Sequence, residues 1–379
     1  MVAIDLSAIP VVDNHCHGIF HTQALDARAW RARCTESAQP GIQQDHVTTT
    51  LFYRRLVREL AAFLACTEDE AAIVAARRAR PDRALIRDLL RAAHIDALLI
   101  DDGFPNPDDV LPLDEAAALG ECRAFPMLRL ELLMQRLIVA CDTLDAVVSA
   151  LQETLADVRG QGFVALKTIA AYRTGLDIAV WPDDAVQAAF VEARRVVQTT
   201  GALRLAHKPL LDTLLHVAFD AAARQELPVQ FHVGYGDSDA DLLRANPLHL
   251  RAVLENPAYG GMSVVLLHEC YPYTKEGAYL SAIYENVYLD LSYGIPFVGY
   301  DEMAAFTRAA CGIAPLSKLL YSSDAVGIPE VHWLSARYGR RIVGEVLGAC
   351  VASGDLSWGQ AETAGEGILR ANATGLYRL

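Results

Sequence analysis

Two histidines two positions apart, His15 and His17, end the run Val11-Val12-Asp13-Asn14-His15-Cys16-His17. In a strand, alternate side chains share a face, so both imidazoles point one way and Cys16 the other. Two imidazoles on one rigid strand are a good ligand pair for zinc, iron, manganese or nickel. The pair is a weak signal alone, because nearby histidines also serve as ordinary core residues. Three other runs strengthen it. Val229-Gln230-Phe231 stops at His232, Leu266-Leu267 at His268, and Tyr321-Ser322-Ser323 at Asp324. One buried histidine is usually a hydrogen-bonded core residue, and one aspartate after a strand is usually a helix N-cap. Apolar runs that repeatedly end on metal-capable residues point instead to a site fed from several strand ends.

A further run, Phe163 to Thr168, carries Lys167 among apolar neighbours. A buried ammonium must neutralise, pair or be modified, since its desolvation is costly. Carbamylation by carbon dioxide would make it an oxygen ligand able to bridge two metals. An unmodified lysine would instead bind a substrate carboxylate or stabilise an oxyanion. Tyr172 and Arg173 come next. The Arg173 fork suits a carboxylate clamp, and equally a pairing with an acidic loop residue. His21, Tyr235, Asp237 and Tyr271 lie in loops on the same side and are candidates to line a pocket. Glu330 and His332 are read as helix-start residues, and His46, His94, His207, His216 and His249 receive no function.

Such residues need a frame. Eight short β-type runs recur: Ile9 to His17, Ile95 to Asp101, Arg123 to Leu132, Phe163 to Ile169, Pro228 to Val233, Val264 to His268, Val287 to Leu291 and Leu319 to Ser323. Between them lie segments of helical spacing, such as Asp184 to Thr200 and Leu210 to Gln225. Eight strands alternating with helices predict a (β/α)8 barrel, one domain over residues 1–379. Residues 18–92 are too long for a connector and carry helical pattern, which predicts a helical insertion after the first strand. Its position in a βα loop suits a cap over the barrel mouth, and a helix pair packed outside the barrel is the alternative.

Bulk properties narrow the function. The chain has 379 residues, is 53% hydrophobic and 21% charged, and has a net charge of −14. That balance describes a globular protein and excludes a nucleic-acid backbone partner, which needs clustered lysine and arginine. No stretch suits a membrane span or a signal peptide. The eight cysteines are scattered with no CxxC pair, the usage of a reduced, cytoplasmic protein. A small-molecule substrate is expected, and a homo-oligomer is left open.

The order HxH, Lys, His, His, Asp over strands one, four, five, six and eight resembles the amidohydrolase superfamily, along essentially the whole chain. More narrowly, VVDNHCHGIF, ALKTIAAYRTGL, QFHVGYGD and LLYSSDA are similar to the amidohydrolase-type part of nodulin/glutamine-synthetase fusion proteins. The resemblance implies that His15, His17 and Asp324 hold one divalent metal, zinc foremost. It implies that His232 and His268 hold a second, bridged by carboxylated Lys167. In single-metal members the strand-six histidine contacts substrate instead, so His268 is a ligand or a catalytic contact and one or two ions are expected. The implied chemistry is hydrolysis of an amide or other C–N bond, glutamine-like or γ-glutamyl, of a small carboxylate-bearing molecule. A metal-activated water would attack, with Asp324 as general base and then acid. A non-hydrolytic decarboxylase or isomerase, and a non-catalytic metal-binding scaffold, are the alternatives.

Overall fold

Val11–His17 is buried along its length and is the first strand (β1) of the computed structural model, which describes residues 3–379. Seven more follow: β2 Ile95–Asp101, β3 Arg123–Arg129, β4 Ala165–Thr168, β5 Pro228–Phe231, β6 Ser263–Leu266, β7 Val287–Ser292 and β8 Leu319–Ser322. They form one sheet in the order β1 to β8, with parallel ladders. Helices connect them, so the chain folds as a nearly closed (β/α)8 barrel. Parallel strands covered by helices need apolar side chains on both faces. β4, β5 and β8 are buried at every residue, mostly apolar, with Lys167, Thr168, Gln230 and Ser322 as buried polar members. All eight C-terminal strand ends share one edge of such a sheet, where barrel enzymes place their chemistry.

Two compact units divide the chain, with boundaries inside β3 and β7. The first comprises 1–125, 236–238 and 290–376, and the second 126–235, 239–289 and 377–379. The first carries β1, β2 and β8, with β1 against β8. The second carries β4, β5 and β6.

Two boundaries differ from the sequence reading. The third strand stops at Arg129, and Leu130–Ala140 is helical. Leu130, Leu133, Met134 and Ile138 are buried at helical spacing there, which a β pattern would not produce. After β1 come the helices Ala27–Arg31, Leu51–Leu64, Glu70–Arg78 and Asp82–Ala93. The last buries Leu85, Ile86, Leu89, Leu90 and Ala93 and packs on the helices Leu113–Gly120 and Pro329–Ser353. It therefore belongs to the barrel's helical ring, and the inserted stretch proper is residues 18–81. Among the described residues no helix is long and apolar enough to cross a membrane. All eight cysteines are free thiols.

Candidate metal centre

In the first unit, the register of β1 against β2 slips between Asp13 and Cys16. Bulges of this kind re-aim side chains near active sites. Cys16 turns to the carbonyl of Leu99 at 3.5 Å. His15 and His17 turn to Asp324, whose Oδ1 lies 3.3 Å from His15 Nε2 and 3.4 Å from His17 Nε2. Two donors each about 2.1 Å from one ion at a tetrahedral angle are roughly 3.4 Å apart. The spacing therefore fits shared ligation. His17 Nδ1 is 2.9 Å from the Phe104 carbonyl. As the donor in that bond it would leave Nε2 with its lone pair for a ligand, the usual support of a ligating histidine. All three residues are buried.

Asp324 has a left-handed backbone, φ +48°, in which a non-glycine residue is strained unless its surroundings impose it. Its N–H donates to the His15 carbonyl at 3.0 Å, and His17 N–H to that of Ala325 at 2.9 Å. Beneath lies a bonded set that the sequence reading passed over. Asp13 accepts the Ser323 N–H at 2.8 Å and its hydroxyl at 2.5 Å, and stands 3.3 Å from His332 Nδ1. The sequence context of His332 predicts a helix start. It does lie near the start of Pro329–Ser353, but its ring is buried against Asp13 and Ser323. Asp13→Asn should weaken zinc binding, because Asp13 holds the backbone of Ser323, the residue before the proposed ligand Asp324. Titration against a competing chelator measures this, and unchanged affinity would mean that Asp13 only fills space.

In the second unit, β4, β5 and β6 bring their own set. Lys167 is 1% exposed and pairs in register with Arg129 of β3 and Gln230 of β5. Glu131 holds the end of β4, accepting the Thr168 hydroxyl at 2.5 Å and the Ile169 N–H at 2.9 Å. Burial pushes this carboxyl up. His232 and His268 meet directly, His268 Nε2 to His232 Nδ1 at 2.8 Å. That is a hydrogen-bond length, shorter than the spacing of two ligands on one ion. His268, Glu269 and Cys270 all have positive φ, at 59°, 47° and 55°. Three consecutive left-handed non-glycine residues mark a strained turn of the sort found at functional sites. Gly234 faces this turn, where an added Cβ would lie 2.2 Å from the Tyr271 carbonyl oxygen.

The substrate-binding candidates divide as follows. Tyr172 packs its ring 4.3 Å from His232, and Tyr235 and Tyr271 lie ring against ring at 6.2 Å. His21, in the first unit, has Nδ1 at 3.4 Å from Arg83 Nη2 on the ring helix Asp82–Ala93. Glu36, from the insertion, gave no sequence signal. Burial, then the charges of Asp324 and Asp237, push its carboxyl up to about 7. Among the described residues two groups of three could hold a metal ion, His15/His17/Asp324 and Asp13/Cys16/His332. The second is a close-packed, already bonded cluster, so the first is the candidate centre.

Residues 108–379 match the family model described as amidohydrolase. The chain belongs to the amidohydrolase family. It is 30% identical to Protein fluG of Emericella nidulans over 403 residues, covering 98% of this chain and 46% of that protein, so it spans about half that relative's length. A structure from Lactobacillus casei described as a "putative metal-dependent hydrolase" is similar at 28% identity, with 99% and 98% of the two chains covered and a TM-score of 0.85. A uronate isomerase from Thermotoga maritima, 14% identical with 98% and 95% covered and a TM-score of 0.68, shares the fold. The amidohydrolase resemblance and the barrel expected from the sequence are thus shown.

Proposed function

We propose that this amidohydrolase is a metal-dependent hydrolase of an amide or other C–N bond in a small carboxylate-bearing molecule. The observation that carries it is the convergence of His15 Nε2 and His17 Nε2 on one oxygen of Asp324, at ligand spacing. A zinc-like ion supplies Lewis acidity when bound, lowering the pKa of water from 15.7 toward about 7 and polarising a carbonyl. His15, His17 and Asp324 Oδ1 would hold it. The other carboxylate oxygen of Asp324 takes a proton from the attacking water and delivers it to the leaving nitrogen. In the second unit, Tyr172 packs against His232. The similar Lactobacillus casei structure, described as a "putative metal-dependent hydrolase", is in line with this reading. The resemblance to synthetase fusion proteins makes γ-glutamyl amides the first substrates to try. A scaffold would have no use for a proton-carrying Asp324. The free thiols fit a reduced cytoplasm.

The test is a screen of amides, lactones and carboxylates on zinc-loaded protein. Activity should vanish with a chelator and return with zinc, and an unaffected activity would remove the reading.

One observation favours a second reading, a non-hydrolytic isomerase or decarboxylase working with one ion. The 2.8 Å His232–His268 bond is that of a hydrogen-bonded pair rather than of two ligands. Metal analysis separates the two. If a carboxylated Lys167 holds a second ion with His232 and His268, wild type binds two ions per chain and Lys167→Ala about one fewer. One ion in both proteins removes the binuclear form and leaves His268 as a substrate contact.

A further inference from the structure

In a chain with 47 acidic and 33 basic side chains, an arginine ordinarily finds a carboxylate. Arg173 does not. It follows the short turn Ala170–Tyr172 after β4, and its buried Nε has no hydrogen-bond partner. Its guanidinium forms no ion pair among the described residues. Burial, and after it the charge of Arg204, hold its pKa below the usual guanidinium range. Glu131 and Asp239 pull the other way, and Arg129 adds to the depression.

The surrounding groups are fixed by other tasks. Arg129 ends β3 beside Lys167 in the ladder. Arg204 donates to the Tyr172 carbonyl at 3.2 Å and pairs with Asp239 at 3.1 Å. Glu131 is engaged with Thr168 and Ile169, so it positions β4 rather than pairing with Arg173. Tyr172, the residue before Arg173, packs on His232. The unpaired guanidinium thus follows Tyr172, a substrate-binding candidate, with Arg129 and the Arg204–Asp239 pair near it. Such an arrangement is unfavourable by itself and is relieved by an anion, for which a planar guanidinium offers two parallel N–H donors.

We propose that Arg173, in the second unit, is an anion subsite that binds a carboxylate or phosphate group without needing a metal ion. This rests on the amidohydrolase reading above, in which the substrate carries a carboxylate, and goes beyond it by assigning an anion-binding residue within the second unit.

The test is calorimetric titration of the full chain with propionate and, separately, inorganic phosphate, in chelator-treated and zinc-loaded forms. Saturable binding is expected in both forms, with the stronger anion identifying the end group. Arg173→Gln should weaken it about tenfold or more, the loss of a charged hydrogen-bond donor. Arg173→Lys should keep part of it, and Arg195→Gln, whose arginine pairs on the surface with Glu192, should change nothing. Matching melting curves establish that the variants are folded. If Arg173→Gln binds as wild type does, or if wild type binds anions only when zinc-loaded, the subsite is overturned. Anion binding in a protein that never takes up zinc would remove the metal reading alone, and zinc uptake with no anion response would remove the subsite alone.

Discussion

Asp324→Asn should lower kcat/KM by about 10³-fold or more, within the range that removal of a general base spans, while zinc occupancy at saturating metal stays above half. The choice of asparagine matters. Asp324 sits at φ +48°, and asparagine is among the few residues that tolerate this left-handed conformation. The turn that joins β8 to β1 through the Asp324 N–H and the His15 carbonyl should therefore survive. The amide oxygen can still face the two imidazoles, so a ligand is weakened rather than deleted. It cannot take up a proton. His15→Asn is the contrast: there activity should fall in step with lost metal and recover in part with excess zinc. The check is to measure rate and bound metal on the same samples, using whichever substrate the screen yields. If the rate per bound ion of Asp324→Asn matches wild type, Asp324 is a ligand only.

Much of this centre was legible because it depends on local pattern. The strands are short apolar runs, and a run that stops on histidine or aspartate reads the same way in sequence and in space. β2 was read with its observed bounds, Ile95–Asp101. What was not legible depends on partners far along the chain. Asp13 looks like one more polar residue before the HxH pair, and its partner Ser323 is 310 residues away. His332 had the sequence context of a helix start, and only the fold shows its ring against Asp13. The helix Asp82–Ala93 has an amphipathic stripe that serves equally in a cap or a barrel ring. Its neighbours decide the matter. Glu36 lies in a polar loop with no periodicity, so nothing in the sequence sets it near Asp324.

The insertion is tied to the barrel by one feature with a large expected energy. Arg77, on the inserted helix Glu70–Arg78, is paired with Glu330 in the first turn of Pro329–Ser353, and both side chains are fully buried. Arg77 also donates to the backbone and side-chain oxygens of Gln23 at 3.0 and 3.1 Å. The Gln23 amide in turn donates to the carbonyls of Phe20 and Gly327, both at 3.0 Å. Gly327 and Glu330 follow Asp324 closely in sequence, so these bonds fix the turn that carries the proposed base. Arg77→Ala should destabilise the fold by about 3–5 kcal/mol, because it leaves a buried carboxylate without its cation. The cost of two buried charges is offset by their attraction only while both are present. The double variant Arg77→Met, Glu330→Leu should therefore recover most of the loss in urea unfolding followed by circular dichroism. If it stays as unstable as the single variant, the directional bonds to Gln23 carry the energy and the ion pair does not. Should it recover stability but become more readily cleaved within residues 18–81, the pair's role is to orient the insertion over the turn after β8.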